Sequence, residues 1–103
     1  MCMKSNSFVE FVLEQMENTP GFRITSMFGG HGLYVYDKFF GIISSGRLYF
    51  KTDGKTRNKY EERGMECFQP SEKQKLKNYY EIPPDVLEDR EELKKWAQEA
   101  STV

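Results

Sequence analysis

The chain carries one histidine and two cysteines, the residues best able to act as a general base, a nucleophile or a zinc ligand. A nucleophilic triad would need His31, yet the sequence has no Gly-x-Ser-x-Gly elbow, and Cys67 falls in a predicted strand without an acid–base companion. One histidine with Cys2 and Cys67 cannot complete a zinc site. We therefore expect no catalytic residue, no metal, no cofactor and no enzymatic activity, and we expect both thiols to be free in a reducing cytoplasm.

Three glycines surround the histidine, at Gly29, Gly30 and Gly32. Such a cluster can hold a phosphate when a helix N-terminus follows it. Here no Lys-Ser or Lys-Thr pair follows the glycines, and the next predicted element is a strand, which argues against a phosphate loop. We expect instead a β-bulge or a turn with positive φ, in which His31 is a turn residue.

Aromatic residues make up 15% of the chain, and a sheet could present them to nucleic-acid bases as an RNA-recognition motif does. The predicted element order differs from that motif, however, and its RNP1 signature is absent. The formal net charge is −1, so no overall basic field attracts nucleic acid. Direct nucleic-acid binding is therefore not favoured. The sequence also shows no signal peptide and no apolar run of about 20 residues, so we expect a cytoplasmic protein that does not bind membranes.

Three main helices are predicted from capping signals. The signals are Ser7 with Glu10, Asp53, and Asp89 with Glu92. The first helix ends at the Pro20-Gly21 turn, and the middle helix ends at Gly64. In the C-terminal helix, Leu93, Trp96, Ala97 and Ala100 form an apolar stripe.

Six strands are predicted from apolar and aromatic runs bounded by turn residues. They cover residues 22–28, 33–36, 39–44, 47–52, 65–69 and 76–82, and the tight turns are Asp37-Lys38 and Ser45-Gly46. The element order is α-β-β-β-β-α-β-β-α. The fold class is therefore α+β, a two-layer sandwich with a largely antiparallel sheet of about six strands and the terminal helices packed on it. We expect one domain over residues 7–100 and a frayed or disordered segment over residues 1–6.

The central strands predict a sheet with two apolar faces. With the turns above, Tyr36 pairs with Phe39 and Tyr34 with Gly41, while the next hairpin pairs Ile43 with Leu48. One face then carries Leu33, Val35, Phe40, Ile42 and Tyr49. The other carries Tyr34, Tyr36, Phe39, Ile43, Leu48 and Phe50. Helices can cover one face, and the second needs more of the chain, a ligand or a second subunit, which would make a homodimer.

Charge is unevenly distributed along the chain. Residues 47–77 contain nine Lys or Arg against five Asp or Glu, whereas residues 81–103 contain three against seven. Two interpretations stay open: two solvated surfaces, or a basic patch that faces an acidic partner or nucleic acid.

The run Met27-Phe28-Gly29-Gly30-His31-Gly32-Leu33-Tyr34 resembles the MFGG-x-GLY signature of the TfoX N-terminal domain family, the Sxy-type competence regulators. The resemblance continues through Gly46-Arg47-Leu48-Tyr49-Phe50-Lys51, Thr56-Arg57, Tyr79-Tyr80-Glu81-Ile82-Pro83 and Leu93-x-x-Trp96-Ala97. These motifs keep their order over roughly residues 7–100. The resemblance indicates a possible interaction surface that consists of residues in these motifs. They are Met27, Phe28, Gly29, Gly30, Gly32, Leu33, Tyr34, Arg47, Tyr49, Lys51, Tyr79 and Tyr80.

The resemblance implies an α+β fold and a non-enzymatic regulatory module that acts by protein–protein contact. The family's named members regulate transcription of DNA-uptake genes together with the cyclic-AMP receptor protein. The implied partner is therefore a protein, with the transcription machinery as the leading candidate. Full-length regulators carry a second, helical domain, and this chain ends at Val103. A stand-alone domain and the first part of a longer protein both stay open, as does an alternative role as a small-molecule-binding domain with a pocket near the glycines.

Overall fold

The computed structural model describes residues 2–27 and 30–103, and the side chains within them except those of residues 2–6, 27 and 71. The chain forms four helices and six strands within these ranges. The helices are α1 (Cys2–Gln15), α2 (Arg57–Glu62), α3 (Pro84–Glu88) and α4 (Arg90–Ser101). The strands are β1 (Phe22–Met27), β2 (Gly30–Val35), β3 (Lys38–Ser44), β4 (Arg47–Lys51), β5 (Cys67–Ser71) and β6 (Gln74–Glu81).

The six strands form one antiparallel sheet in the order β1-β2-β3-β4-β6-β5. The first four strands are a meander joined by short loops, and β6 then pairs with β4 while β5 lies at the far edge. The predicted α+β fold and its element order are confirmed. Within the described ranges the structure adds one element, α3, a five-residue helix where the sequence predicted a turn.

The first helix starts earlier than predicted. It begins at Cys2, so Ser7 lies within the helix and the capping box predicted for Ser7 and Glu10 is wrong. The physical reason is that residues 2–6 contain no proline or glycine that would keep the chain out of the helix. The predicted domain limits, residues 7–100 after a frayed segment, stay a prediction.

The predicted roles of Gly64 and Asp89 are confirmed, whereas the N-cap of α2 is Thr56 and not Asp53, because the helix begins at Arg57. Asp53 Oδ1 accepts the backbone N–H groups of Lys55 and Thr56, both at 2.9 Å, and so caps the turn that leads into α2. Gly64 has a φ of +76° and ends that helix. Asp89 is the N-cap of α4, and its side chain accepts the backbone N–H of Glu92.

One face of the sheet and all four helices enclose the hydrophobic core. Leu33, Phe40 and Phe50 from the strands are each 0% exposed. Every helix adds buried side chains to the same cluster. They are Val12 of α1 with Met16 of the following turn, Tyr60 of α2, Val86 of α3, and Leu93, Trp96, Ala97 and Ala100 of α4. Because every helix contributes to this one cluster, the helices lie together on one side of the sheet, the core face.

The hairpin between β2 and β3 turns one residue earlier than predicted. Val35 pairs with Lys38, so the loop consists of Tyr36 and Asp37. Tyr36 has a φ of +56°, and its N–H donates to the carbonyl of Gly21 at 2.8 Å. The sequence predicted the loop one position later, at Asp37-Lys38. A left-handed conformation is uncommon for a bulky residue, so a tyrosine is not a usual turn signal.

A β-bulge then changes the predicted register. Tyr34 pairs with Phe39, but Leu33 pairs with Gly41, which leaves Phe40 as the extra residue. The predicted pairing of Tyr34 with Gly41 is therefore wrong. As a result, Leu33 and Phe40 lie on the core face, with residues that the sequence assigned to the opposite face.

The second hairpin has the predicted register. Ile43 pairs with Leu48, and Gly41 pairs with Phe50. Ser45 and Gly46 form the loop, each with positive φ.

The glycine-rich stretch is a strand rather than a turn. Gly30, His31 and Gly32 belong to β2 and pair with β1 on one side and β3 on the other. The predicted turn is wrong at Gly30, His31 and Gly32, since all three lie within β2, and Gly32 is not among the positive-φ glycines. A Cβ on Gly30 would lie 2.2 Å from the carbonyl oxygen of Ile43, so close approach of the neighbouring strand explains this glycine. Gly29 and Phe28 lie outside the described residues.

Candidate interaction surface

The second face of the sheet carries a set of aromatic side chains and no helix of the described chain. We call it the aromatic face. Its members, placed by strand register and ring contacts, are Tyr34, Phe39, Ile42, Tyr49, Phe68 and Tyr79. Ile42 is 6% exposed, and the five rings are half-buried. The face is therefore a packed apolar layer that still presents ring surface to solvent.

Strand register aligns part of this face into a line that crosses the sheet. Arg23 pairs with Tyr34, and Tyr34 pairs with Phe39. On the far side, Lys51 pairs with Tyr79, whose ring lies 5.9 Å from that of Phe39. We call these five residues the cationic row. Its order across the sheet is Arg23, Tyr34, Phe39, Lys51 and Tyr79, so two rings lie between the cations and Tyr79 lies beyond Lys51.

The rings of the aromatic face contact one another at an angle. Tyr34 and Phe39 have centroids 5.2 Å apart and planes at 55°, and Phe39 and Tyr79 meet at 50°. Tyr49 and Phe68 form a second pair at 4.7 Å and 46°. Offset and tilted contacts of this kind stabilise aromatic clusters beyond their buried area.

Burial raises the pKa of the Tyr49 and Tyr79 hydroxyls above the ordinary value. At Tyr49 the carboxylate of Glu81 raises the pKa further, while the guanidinium of Arg47 opposes it. Both hydroxyls are therefore uncharged at neutral pH and can act as hydrogen-bond donors on this face.

The charged groups of the face divide into two zones. At the Tyr49 end, Arg47 Nη1 donates to Glu81 Oε1 at 3.1 Å, so these two charges compensate each other. In the cationic row, the guanidinium carbon of Arg23 lies 4.5 Å from the centroid of the Tyr34 ring, a cation–π contact. Among the described residues neither Arg23 nor Lys51 forms an ion pair.

Comparison with known protein families gives a match over residues 14–103 to the TfoX N-terminal domain. The chain belongs to the TfoX N-terminal domain family. In addition, 63 residues are 36% identical to the DNA transformation protein TfoX1 of Aliivibrio fischeri. That region covers 59% of this chain and 30% of the relative, so the chain matches less than a third of that protein's length.

The family-motif residues are divided between the two faces of the sheet. Tyr34, Tyr49, Lys51 and Tyr79 lie on the aromatic face, and register places Arg47 there too. Leu33 is buried in the core and Tyr80 packs against it. Met27 lies on β1, and Gly30 and Gly32 lie on β2. Phe28 and Gly29 lie outside the described residues. The structure thus brings five of the twelve motif residues together, and the role of the set in binding stays a prediction.

Sequence reasoning missed several members of the surface. Phe39 and Ile42 were assigned to opposite faces because the bulge at Phe40 was not foreseen. Phe68 lies between two register shifts in the β5–β6 pairing, and Arg23 precedes the motif. A signal for Arg23 existed in its spacing, since Arg23 and Thr25 alternate with Phe22 and Ile24.

The basic segment does not form one patch. Three of its cations pair with the acidic C-terminal segment: Arg47 with Glu81, Lys59 with Glu99, and Arg63 with Asp85. Hydrogen bonding from Arg63 lowers the pKa of the Asp85 carboxyl. The opposite charges of the two segments therefore partly neutralise each other within the chain. The basic residues that are adjacent in sequence are divided between the helical layer and the sheet, so they do not form the patch that the sequence suggested.

Three surface clefts of 380–440 Å³ are formed by described residues. The first is lined by α1, and the second by the β2–β3 hairpin and the end of α4. The third is lined by residues of α2, of the α2–β5 connection, and of β5 and β6. Gly30 and Gly32 line none of these three, so the clefts give no support to a ligand pocket near the glycines. The described residues also contain no group of three or more potential metal ligands and no helix long and apolar enough to cross a membrane.

Proposed function

We propose that the chain is a non-enzymatic regulatory domain that controls expression of DNA-uptake genes by binding a protein of the transcription machinery. Membership of the TfoX N-terminal domain family supports the regulatory assignment, and the relative named as a DNA transformation protein supports the process. The observation that carries the proposal is the aromatic face itself, an apolar layer on the side of the sheet opposite the helices.

The composition of this face suits protein recognition. Tyrosine and arginine are enriched at protein interfaces, because they combine large contact area with hydrogen-bond donors. Tyr34, Tyr49 and Tyr79 supply three such side chains within one antiparallel sheet, which holds them in fixed positions. A rigid platform loses little conformational entropy on binding.

A site-specific crosslinking experiment tests the proposal. A photo-reactive phenylalanine derivative replaces Tyr34 on the aromatic face or, as a control, exposed Gln98 on α4, in the bacterium that encodes the protein. We expect crosslinks to an RNA polymerase subunit or a transcription factor from position 34 and not from position 98. Identical products from both positions, or none from transcription proteins, would contradict the proposal.

Transcript measurement gives a second readout. Replacing Phe39 and Tyr79 together by serine should lower the transcripts of DNA-uptake genes, because it removes the centre of the aromatic face. The control is Leu13→Ser, which removes a 45% exposed apolar side chain on α1, in the helical layer. Circular dichroism of both variants would confirm that the fold is retained.

A further inference from the structure

The cationic row combines three rings with two cations that form no ion pair with any described residue. Arg23 and Lys51 lie on β1 and β4, three strand spacings apart, which is about 14 Å across the sheet. Between them lie the rings of Tyr34 and Phe39, and Tyr79 lies beside Lys51. The row therefore offers positive charge at two separated points and apolar surface in the interval.

We propose that the cationic row binds an acidic segment of a protein partner, in which two carboxylates flank apolar side chains. The inference rests on the proposed function and specifies the chemistry of its partner. An extended segment advances about 3.3 Å per residue, so carboxylates four residues apart are separated by about 13 Å and match the two cations. Charge-assisted hydrogen bonds from Arg23 and Lys51 then fix the ends of the segment.

Nucleic acid fits the row less well. Base stacking requires accessible ring faces, whereas the Arg23 guanidinium lies over a face of the Tyr34 ring, 4.5 Å from its centroid. The two cations of the row also give few phosphate contacts, on a chain of net charge −1.

A second copy of the chain also fits less well. In a face-to-face dimer, Arg23 and Lys51 of both copies would enter the interface. The carboxylate of Glu81 lies on this face and could neutralise a cation of the second copy, but it already pairs with Arg47. Burying unpaired cations is unfavourable, so charge favours an acidic partner over the homodimer that the two apolar faces suggested.

The test uses the whole 103-residue chain labelled with ¹⁵N and three synthetic peptides. The first peptide has the sequence Ser-Glu-Leu-Phe-Leu-Glu-Ser, and the other two carry glutamine or lysine in place of both glutamates. Binding is measured by fluorescence anisotropy and located by amide chemical shifts. We expect the acidic peptide to bind at least tenfold more tightly than the glutamine peptide, with shifts concentrated in β1 to β4.

A charge-matched pair of double variants provides the control. Arg23→Gln with Lys51→Gln should weaken binding of the acidic peptide at least tenfold. Arg90→Gln with Lys55→Gln removes the same charge from exposed positions outside the sheet and should change the affinity less than twofold. Equal losses in both double variants would overturn the inference, because they would show a general charge effect.

Three other results would also overturn it. The first is equal affinity for the acidic and the glutamine peptide. The second is tighter binding of a twelve-nucleotide oligothymidylate than of the acidic peptide. The third is dimerisation of the chain through this face, detected by sedimentation. Failure here is separable from failure of the proposed function. If crosslinking from position 34 to a transcription protein persists in the Arg23→Gln, Lys51→Gln variant, the interface stands and only its acidic chemistry is wrong.

Discussion

The ring of Tyr60 in α2 meets the ring of Trp96 in α4 edge to face, with centroids 4.8 Å apart and planes at 69°. Tyr60 is 1% exposed and Trp96 is 5% exposed. The ammonium of Lys59 also contacts the Trp96 indole, 4.1 Å from the ring centroid, and pairs with Glu99. Since β5, β6 and α3 separate α2 from α4 in sequence, this contact joins distant parts of the chain into one layer.

Trp96→Ala should lower the free energy of unfolding by about 3–5 kcal/mol, because it removes a buried side chain and leaves a cavity against Tyr60. Urea denaturation followed by circular dichroism would measure the loss. Gln98→Ala, at an exposed position of the same helix, serves as the control and should change stability by less than about 0.5 kcal/mol. A loss under 1 kcal/mol for Trp96→Ala would mean that α4 is not docked as the structure has it.

Alkaline pH should destabilise the fold through Tyr60. Burial, together with the nearby carboxylate of Glu99, raises the pKa of the Tyr60 hydroxyl far above its ordinary value of 10.0. The unfolded chain therefore loses this proton first as the pH rises past 10. The free energy of unfolding keeps the full Tyr60 contribution below that pH and falls above it, by at most about 1.4 kcal/mol per pH unit for this group.

Tyr60→Phe isolates that effect. The variant should show a shallower fall of the unfolding free energy between pH 10 and 12, measured by urea denaturation at each pH. Some fall should remain, because burial also raises the pKa of Tyr49, Tyr79 and Tyr80. Tyr36→Phe, at the 64% exposed position, is the matched control. An unchanged pH profile in Tyr60→Phe would show that another group causes the loss.

Local signals in the sequence were enough to predict the element order and most helix ends. Asp53, Gly64 and Asp89 act through hydrogen bonds or backbone conformations within a few residues of themselves. Such signals can be read without knowledge of the rest of the fold. The same holds for the Ser45-Gly46 loop, whose two residues both take positive φ.

The composition of the two sheet faces could not be predicted because one bulge decides it. Phe39 and Phe40 are both apolar, so alternation cannot tell which of them turns toward the core. Tyr36 takes the left-handed conformation in spite of its size, and its ring lies against Gly21, where a Cβ would be 2.7 Å from it. Tertiary contact therefore sets the loop position, and the loop and bulge together set the faces.

Gly30→Ala should destabilise the sheet by about 1–3 kcal/mol, because the added Cβ would lie 2.2 Å from the carbonyl oxygen of Ile43, a backbone atom that cannot move aside without disturbing the β2–β3 pairing. Thermal and urea denaturation would measure the loss. Gly54→Ala is the control, since a Cβ there meets nothing within 4 Å. If both substitutions had the same effect, chain flexibility and not the close approach would explain why position 30 is a glycine.

Loss of the cap at Asp89 should loosen the helix that carries Trp96. Asp89 Oδ1 accepts the N–H of Glu92 at 3.2 Å, so Asp89→Ala leaves that donor without its partner and should cost about 1 kcal/mol. Asp89→Asn keeps an acceptor oxygen but removes the charge beside the positive end of the helix dipole, and should cost less. Urea denaturation at neutral pH compares the two variants, with Glu88→Ala at the neighbouring exposed position as the control. Equal losses for alanine and asparagine would assign the effect to charge, whereas a loss confined to alanine would assign it to the hydrogen bond.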